Sequence, residues 1–134
     1  MREMSKKNKY YIEPNRKKEL LYFCRQYPIW CKALAAITGL QQRPEDLEIF
    51  VQSGQCSDPT AKAVEAREKY NRLINTVKEA AITTDEDLAD YIIYGACFRM
   101  GYDELCTIHK IPCCRQKYYE LYAKFFWVLN KLRD

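Results

Sequence analysis

Apolar residues along most of this chain return every three or four positions, the signature of helices with one buried face. Leu20, Phe23, Cys24 and Tyr27 form the first such stripe, with Arg16, Lys17, Lys18 and Arg25 facing out and Asn15 placed to cap the helix start. Pro28 is expected to break or kink this helix, because it lacks an N–H and clashes with the preceding turn. Trp30, Leu34 and Ile37 carry the stripe to Gly39, a good C-terminal cap. Pro44-Glu45-Asp46-Leu47 opens a short helical piece with acids near its positive end. Ser53 to Ser57 is the most loop-like stretch and the best linker. Asp58 as cap and Pro59 at the first helical position then start a long helix, from Thr60 to about Ala81. It carries Ala63, Ala66, Tyr70, Leu73, Val77 and Ala80 on one face, with Glu65 and Lys69 as a favourably oriented pair. Thr84 followed by Asp87 resembles a capping box for the next helix. That helix buries Leu88, Ile92, Ala96 and Met100, with support from Tyr91 and Ile93, and Gly101 ends it.

The last third, Tyr102 to Asp134, carries the most specific pattern. A short helix runs to His109 with Leu105 and Ile108 turned inward and Cys106 small enough for a close helix crossing. Lys110-Ile111-Pro112 makes a turn with Ile111 as an apolar plug. A longer helix starts near Cys113 or Cys114 and buries Tyr118, Tyr122, Phe125, Leu129 and Leu132. This is the order of a helix-turn-helix, and two features widen its turn. Lys110 stands where glycine often supplies a left-handed conformation, and the spacing from Ile111 to Tyr118 is about two residues longer than in the commonest form.

The opposite side of that last helix holds Arg115, Gln116, Tyr119, Glu120 and Lys124. A recognition helix offers its first residues to base edges in the major groove, so Arg115, Gln116 and Tyr119 are the expected base contacts. Lys110, Lys117 and Lys124 are the expected phosphate contacts, which make affinity salt-sensitive. Glu120 and Leu121 interrupt the basic run. Tyr118, Tyr119, Tyr122, Phe125, Phe126 and Trp127 exceed what one stripe can bury. A second buried face against the 60–81 helix is the first explanation, and a homodimer interface the next.

Composition narrows the class without changing this outline. Only four glycines among 134 residues, and a dominance of Leu, Ala, Glu, Lys and Arg, argue for an all-α fold: a helical bundle with a C-terminal helix-turn-helix. The chain suits one compact domain, or one domain with a small appendage. Its parts are a basic tail over 1–14, whose first nine residues are expected to be mobile, a helical region over 15–57, and the long helix plus helix-turn-helix over 58–134. The net charge of +4 is unevenly spread: +5 over 1–25, −5 over 26–109 and +4 over 110–134. Two basic ends around an acidic middle suit a protein that presents its ends to a polyanion. No apolar run reaches membrane-spanning length, so no membrane partner is expected. Seven cysteines, an odd number, with no signal peptide, point to a reducing cytoplasm.

Other chemistries read more weakly. Cys106, His109, Cys113 and Cys114 have spacings that zinc could use, but Cys106 is wanted inside the helix crossing, so no metal or other cofactor is assigned. The vicinal Cys113-Cys114 pair could serve as a redox-sensitive site at a helix start. No phosphate-cradling glycine loop and no nucleophile triad has a fitting context, so an enzyme is not expected.

Gln26-Tyr27-Pro28-Ile29-Trp30, Asp58-Pro59-Thr60, Ile111-Pro112-Cys113, Tyr118-Tyr119 and Lys124-Phe125-Phe126 carry a family likeness. From about Leu20 onward the chain resembles small prophage regulators of late transcription, of the RinA/ArpU type, whose C-terminal part is related to the DNA-binding region 4 of sigma factors. The resemblance implies an all-α, sequence-specific regulator of phage genes acting on double-stranded DNA, with RNA polymerase as a protein partner. A different class competes with it: a phage-encoded inhibitor of a bacterial defence nuclease such as a CRISPR effector. In that reading the acidic middle, Glu45, Asp46, Glu48, Asp85, Glu86, Asp87 and Asp90, mimics nucleic acid or binds a basic groove.

Overall fold

Residues 7–38 and 59–133 are described by the computed structural model, and among them every regular element is helical. They comprise α1 (Pro14–Arg25), α2 (Tyr27–Thr38), α3 (Pro59–Thr84), α4 (Ala89–Cys97), a three-residue α5 (Tyr102–Glu104) continued by a π-helical turn (Leu105–His109), and α6 (Arg115–Arg133). No described helix is long and apolar enough to cross a membrane. The expected features at Gly39, Pro44 to Asp46, Glu48, Ser53 to Ser57, Cys56, Asp58 and Asp134, together with residues 1–6 of the tail, lie outside the described residues.

The chain divides into two compact units. Residues Met1–Tyr27 and Thr76–Asp134 make one, and Pro28–Asn75 the other. In the first, α1, α4 and α6 pack on one another and the π-helical turn packs on α4. Leu20, Cys24, Val77, Ala80, Ile92, Leu105, Phe125 and Leu129 are wholly buried. Full burial of each larger aliphatic or aromatic side chain here contributes about 1.5–3 kcal/mol. Arg16 adds a polar tie, its Nε donating to Asn130 Oδ1 at 2.7 Å between α1 and α6. The second unit buries Trp30, Ile37 and Ile74 and leaves Ile29 and Val64 exposed.

Local chemistry explains the boundaries, several of which differ from expectation. α1 is capped by Glu13, not Asn15: Glu13 Oε2 accepts from Arg16 N at 3.1 Å, and Pro14 takes the position where its missing N–H costs nothing. Arg16, Lys17 and Arg25, expected to face out, are half-buried, and burial lowers the pKa of the Lys17 ammonium. Pro28 lies in the first turn of α2, after a break at Gln26. α3 runs three residues past Ala81, and in its last turn the buried Thr84 hydroxyl donates back to Ala80 O at 2.7 Å. Thr84 therefore caps nothing. The cap before α4 is Asp85, whose Oδ1 accepts from Asp87 N at 3.0 Å and Leu88 N at 3.2 Å.

α4 stops at Cys97 instead of reaching Gly101. Arg99, at φ 58°, takes the left-handed conformation, and Met100 N and Phe98 N both donate to Tyr94 O. Met100 is consequently only half-buried, while Leu88, Ile92 and Ala96 are buried as the spacing predicts and Ile93 and Cys97 join them. On α6, Tyr118, Phe125 and Leu129 are buried, Tyr122 is half-buried and Leu132 is exposed. Leu121, Phe126 and Val128 extend the buried surface. Within its own unit, α6 packs on α1 and α4.

Candidate nucleic-acid interface

The segment before α6 sets where its first side chains point. Leu105 O accepts from both Lys110 N and Ile111 N, five and six residues on, so the backbone widens into a π-helical turn. Lys110 closes it in the left-handed conformation (φ 53°, ψ 52°) that glycine adopts with less strain. Ile111 drops into the interior beside Leu105 and Tyr118, and Tyr91, Tyr94, Met100, Tyr102, Cys113 and Tyr122 pack around them. The widening also turns Cys106 and Ile108 out to solvent, against the expectation that both face inward. α6 then begins at Arg115, with Cys114 Sγ accepting from Lys117 N at 3.5 Å in the manner of a cap.

At 100° per residue the buried positions of α6 leave an open face centred on Gln116 and Glu120, with Arg115 and Tyr119 along one border and Lys117 and Lys124 along the other. Arg115, Gln116, Lys117, Tyr119 and Glu120 are exposed, and Lys124 is half-buried. Lys110 stands exposed in the turn. Four of the six residues expected to touch DNA thus cluster in the first five positions of α6, while Lys124 sits two turns on.

Arg115 is already engaged. Its Nη2 lies 2.5 Å from Asp103 Oδ1, and its guanidinium sits 5.0 Å from the Tyr102 ring centre. The Asp103 carboxylate raises the Arg115 pKa further above its ordinary value. This pair joins α5 to α6 across the turn, and no sequence spacing announces it. Because both partners are more than half exposed, it is worth little to stability.

Around the turn, thiols and phenols crowd together. Tyr102 Oη donates to Cys113 O at 2.5 Å. A hydrogen bond with the Cys106 thiol, then burial and the neighbouring thiols, push the Tyr102 phenol up to about 12. Burial likewise raises Tyr118, takes Tyr122 up to about 12, and raises Cys113. His109, on the inner side, stacks on Tyr94 with centroids 4.1 Å apart and planes 6° from parallel. Among the described residues, no group of three or more His, Cys, Asp and Glu is placed to hold a metal ion.

These phenol shifts carry a pH dependence. A phenol ordinarily titrates near 10, so a raised value means that the folded state holds the proton more tightly than the unfolded chain. The stabilisation is complete below pH of about 10 and is lost as pH rises through about 12. Tyrosinate absorbance should therefore show a late fraction, from Tyr102, Tyr118 and Tyr122, that ionises as the protein unfolds in alkali. A single ionisation step near 10 with the fold intact would contradict this.

Of the residues expected to form the acidic middle, Glu86 and Asp87 are exposed between α3 and α4 and Asp90 is exposed in the first turn of α4, while Asp85 is half-buried in its capping role. No protein-family model matches this chain, and no curated protein or solved structure does.

Proposed function

We propose that this protein is a cytoplasmic, non-enzymatic transcription regulator of phage type that binds double-stranded DNA, reading it with a helix-turn-helix formed by residues 102–133. The observation that carries the reading is the exposed start of α6, where Arg115, Gln116, Lys117 and Tyr119 stand together just after the widened turn. A helix presented in this way can enter the major groove with its first residues on base edges. Arg115, Gln116 and Tyr119 contact bases, and Lys110, Lys117 and Lys124 contact the backbone. RNA polymerase is the partner expected of a late-gene regulator.

Arg115 has to leave Asp103 to reach a base, and this gives the proposal a signed test. Arg115→Ala should weaken duplex binding by about 1–3 kcal/mol and relax sequence preference. Asp103→Asn should tighten binding, since it releases the arginine and removes a negative charge from the interface. Fluorescence anisotropy with labelled duplexes measures both. If the two variants leave affinity unchanged, Arg115 is not a reader.

The exposed Glu86, Asp87 and Asp90 favour a second reading, an inhibitor of a bacterial defence nuclease that acts by mimicking nucleic acid. Charge reversal at these three positions separates the two. It abolishes nuclease inhibition in the second reading and leaves DNA binding intact or stronger in the first.

A further inference from the structure

The far end of α6 holds an arrangement that the proposed reader does not use. Trp127 and Tyr10 meet edge to face with centroids 5.3 Å apart, which seats the segment before α1 against the last turns of α6. Each ring carries a lysine. Lys131 Nζ lies 3.4 Å from the centre of the Trp127 ring, and Lys9 Nζ lies 5.5 Å from that of Tyr10. Both rings are half-buried and both lysines are exposed. Residues 8–11 are held in a turn, with Tyr10 N donating to Asn8 Oδ1 at 2.9 Å and Tyr11 N to Asn8 O at 3.1 Å. Two long, flexible cations are therefore positioned by aromatic surfaces before any ligand arrives, which reduces the ordering cost of gripping an anion.

Lys131 also continues a line along α6. Lys117, Lys124 and Lys131 recur every seven residues, about 10.5 Å apart with roughly 20° of drift per repeat. Within the described residues of α6, Glu120 is the one acid against Arg115, Lys117, Lys124, Lys131 and Arg133. A straight row of cations ending in an ordered pair suits a linear polyanion better than a small anion.

We propose that Lys9 and Lys131, held by Tyr10 and Trp127, form a phosphate-backbone clamp for duplex DNA at the end of α6 remote from Arg115. Lys131 stands about 24 Å along the helix from Arg115, so the clamp engages phosphates outside the reader's base contacts. It adds affinity without sequence information. This proposal rests on the reading of the chain as a duplex-binding protein, and one experiment tells the two failures apart.

The salt dependence of duplex affinity is measured for the wild type, for the Lys9→Gln/Lys131→Gln double variant, and for Lys18→Gln, which removes an exposed charge from α1 outside the clamp. The double variant should bind on the order of tenfold more weakly, with a log–log salt slope shallower by about two and an unchanged sequence preference. Lys18→Gln should match the wild type. If the double variant keeps the wild-type slope while the wild type binds duplex, the clamp is overturned and the reader stands. If the wild type binds no duplex at low salt, both fall. If instead the double variant loses binding to phosphatidylserine vesicles while its DNA binding is unaltered, the patch is a membrane contact and the clamp is overturned.

Discussion

Replacing Phe125 with alanine is expected to lower the folding free energy by about 3–5 kcal/mol, the largest effect of any single substitution considered for this chain. Phe125 has no exposed surface, and its ring meets that of Phe126 at 5.1 Å and 69°, edge to face. It lies midway along α6, the helix that packs on both α1 and α4. Truncation loses the transfer energy of the ring and leaves a cavity that the three helices can only partly close. Against a total stability of about 5–15 kcal/mol this is a large fraction, and it corresponds to a midpoint lower by roughly ten degrees or more. Urea unfolding followed by helical circular dichroism measures it. A loss below about 1 kcal/mol would mean that α6 is not docked as described, since exposed positions typically give changes within about 0.5 kcal/mol.

Gly95→Ala should be the next most damaging, for the opposite reason. A Cβ at Gly95 would fall 1.9 Å from Tyr118 Oη and 3.2 Å from Cζ. The phenol cannot swing aside freely: Tyr118 is 3% exposed and shares its cluster with Leu105 and Ile111. Overpacking of this kind costs about 1–3 kcal/mol. Because the worst contact is with the hydroxyl oxygen, Gly95→Ala combined with Tyr118→Phe should recover most of the loss. Additive losses in the double variant would show that Gly95 is required for some reason other than the close approach of α4 and α6.

The close approach was not legible in the sequence, where Gly95 is one residue inside an apolar helix, but the helices themselves were. Leu20 with Cys24, Val77 with Ala80, Ile92 with Ala96, and Phe125 with Leu129 all mark buried stripes at helical spacing, because each helix must bury one face whatever it packs against. Spacing failed where the backbone left the regular helix. Ile108 lies three residues after Leu105 and would share its face in an α-helix, yet it is 59% exposed, because the wider π-helical turn rotates less per residue and carries it off that face. Met100 is displaced similarly once Arg99 has taken a left-handed conformation that arginine gives no reason to expect.

At the candidate interface, the exposure of Arg115, Gln116, Lys117 and Tyr119 follows from the stripe on the far side of their helix, and so could be read in advance. What could not be read is which side chains those residues meet. The Asp103 partner of Arg115 and the docking of Tyr10 on Trp127 are tertiary facts, created by a turn and by the return of the N-terminal segment. Cys114 as the cap of α6 was hidden as well, since capping preferences favour Ser, Thr, Asp and Asn.

If the start of α6 reads duplex DNA as proposed, the protein selects its own sites. Selection of bound sequences from a pool of random duplexes at low salt, followed by affinity measurement on the winners, tests it most directly. An enriched motif is expected, with an affinity that falls steeply with salt and a discrimination that collapses in Arg115→Ala. A pool that emerges without enrichment, and shows no retention at low salt, would contradict it.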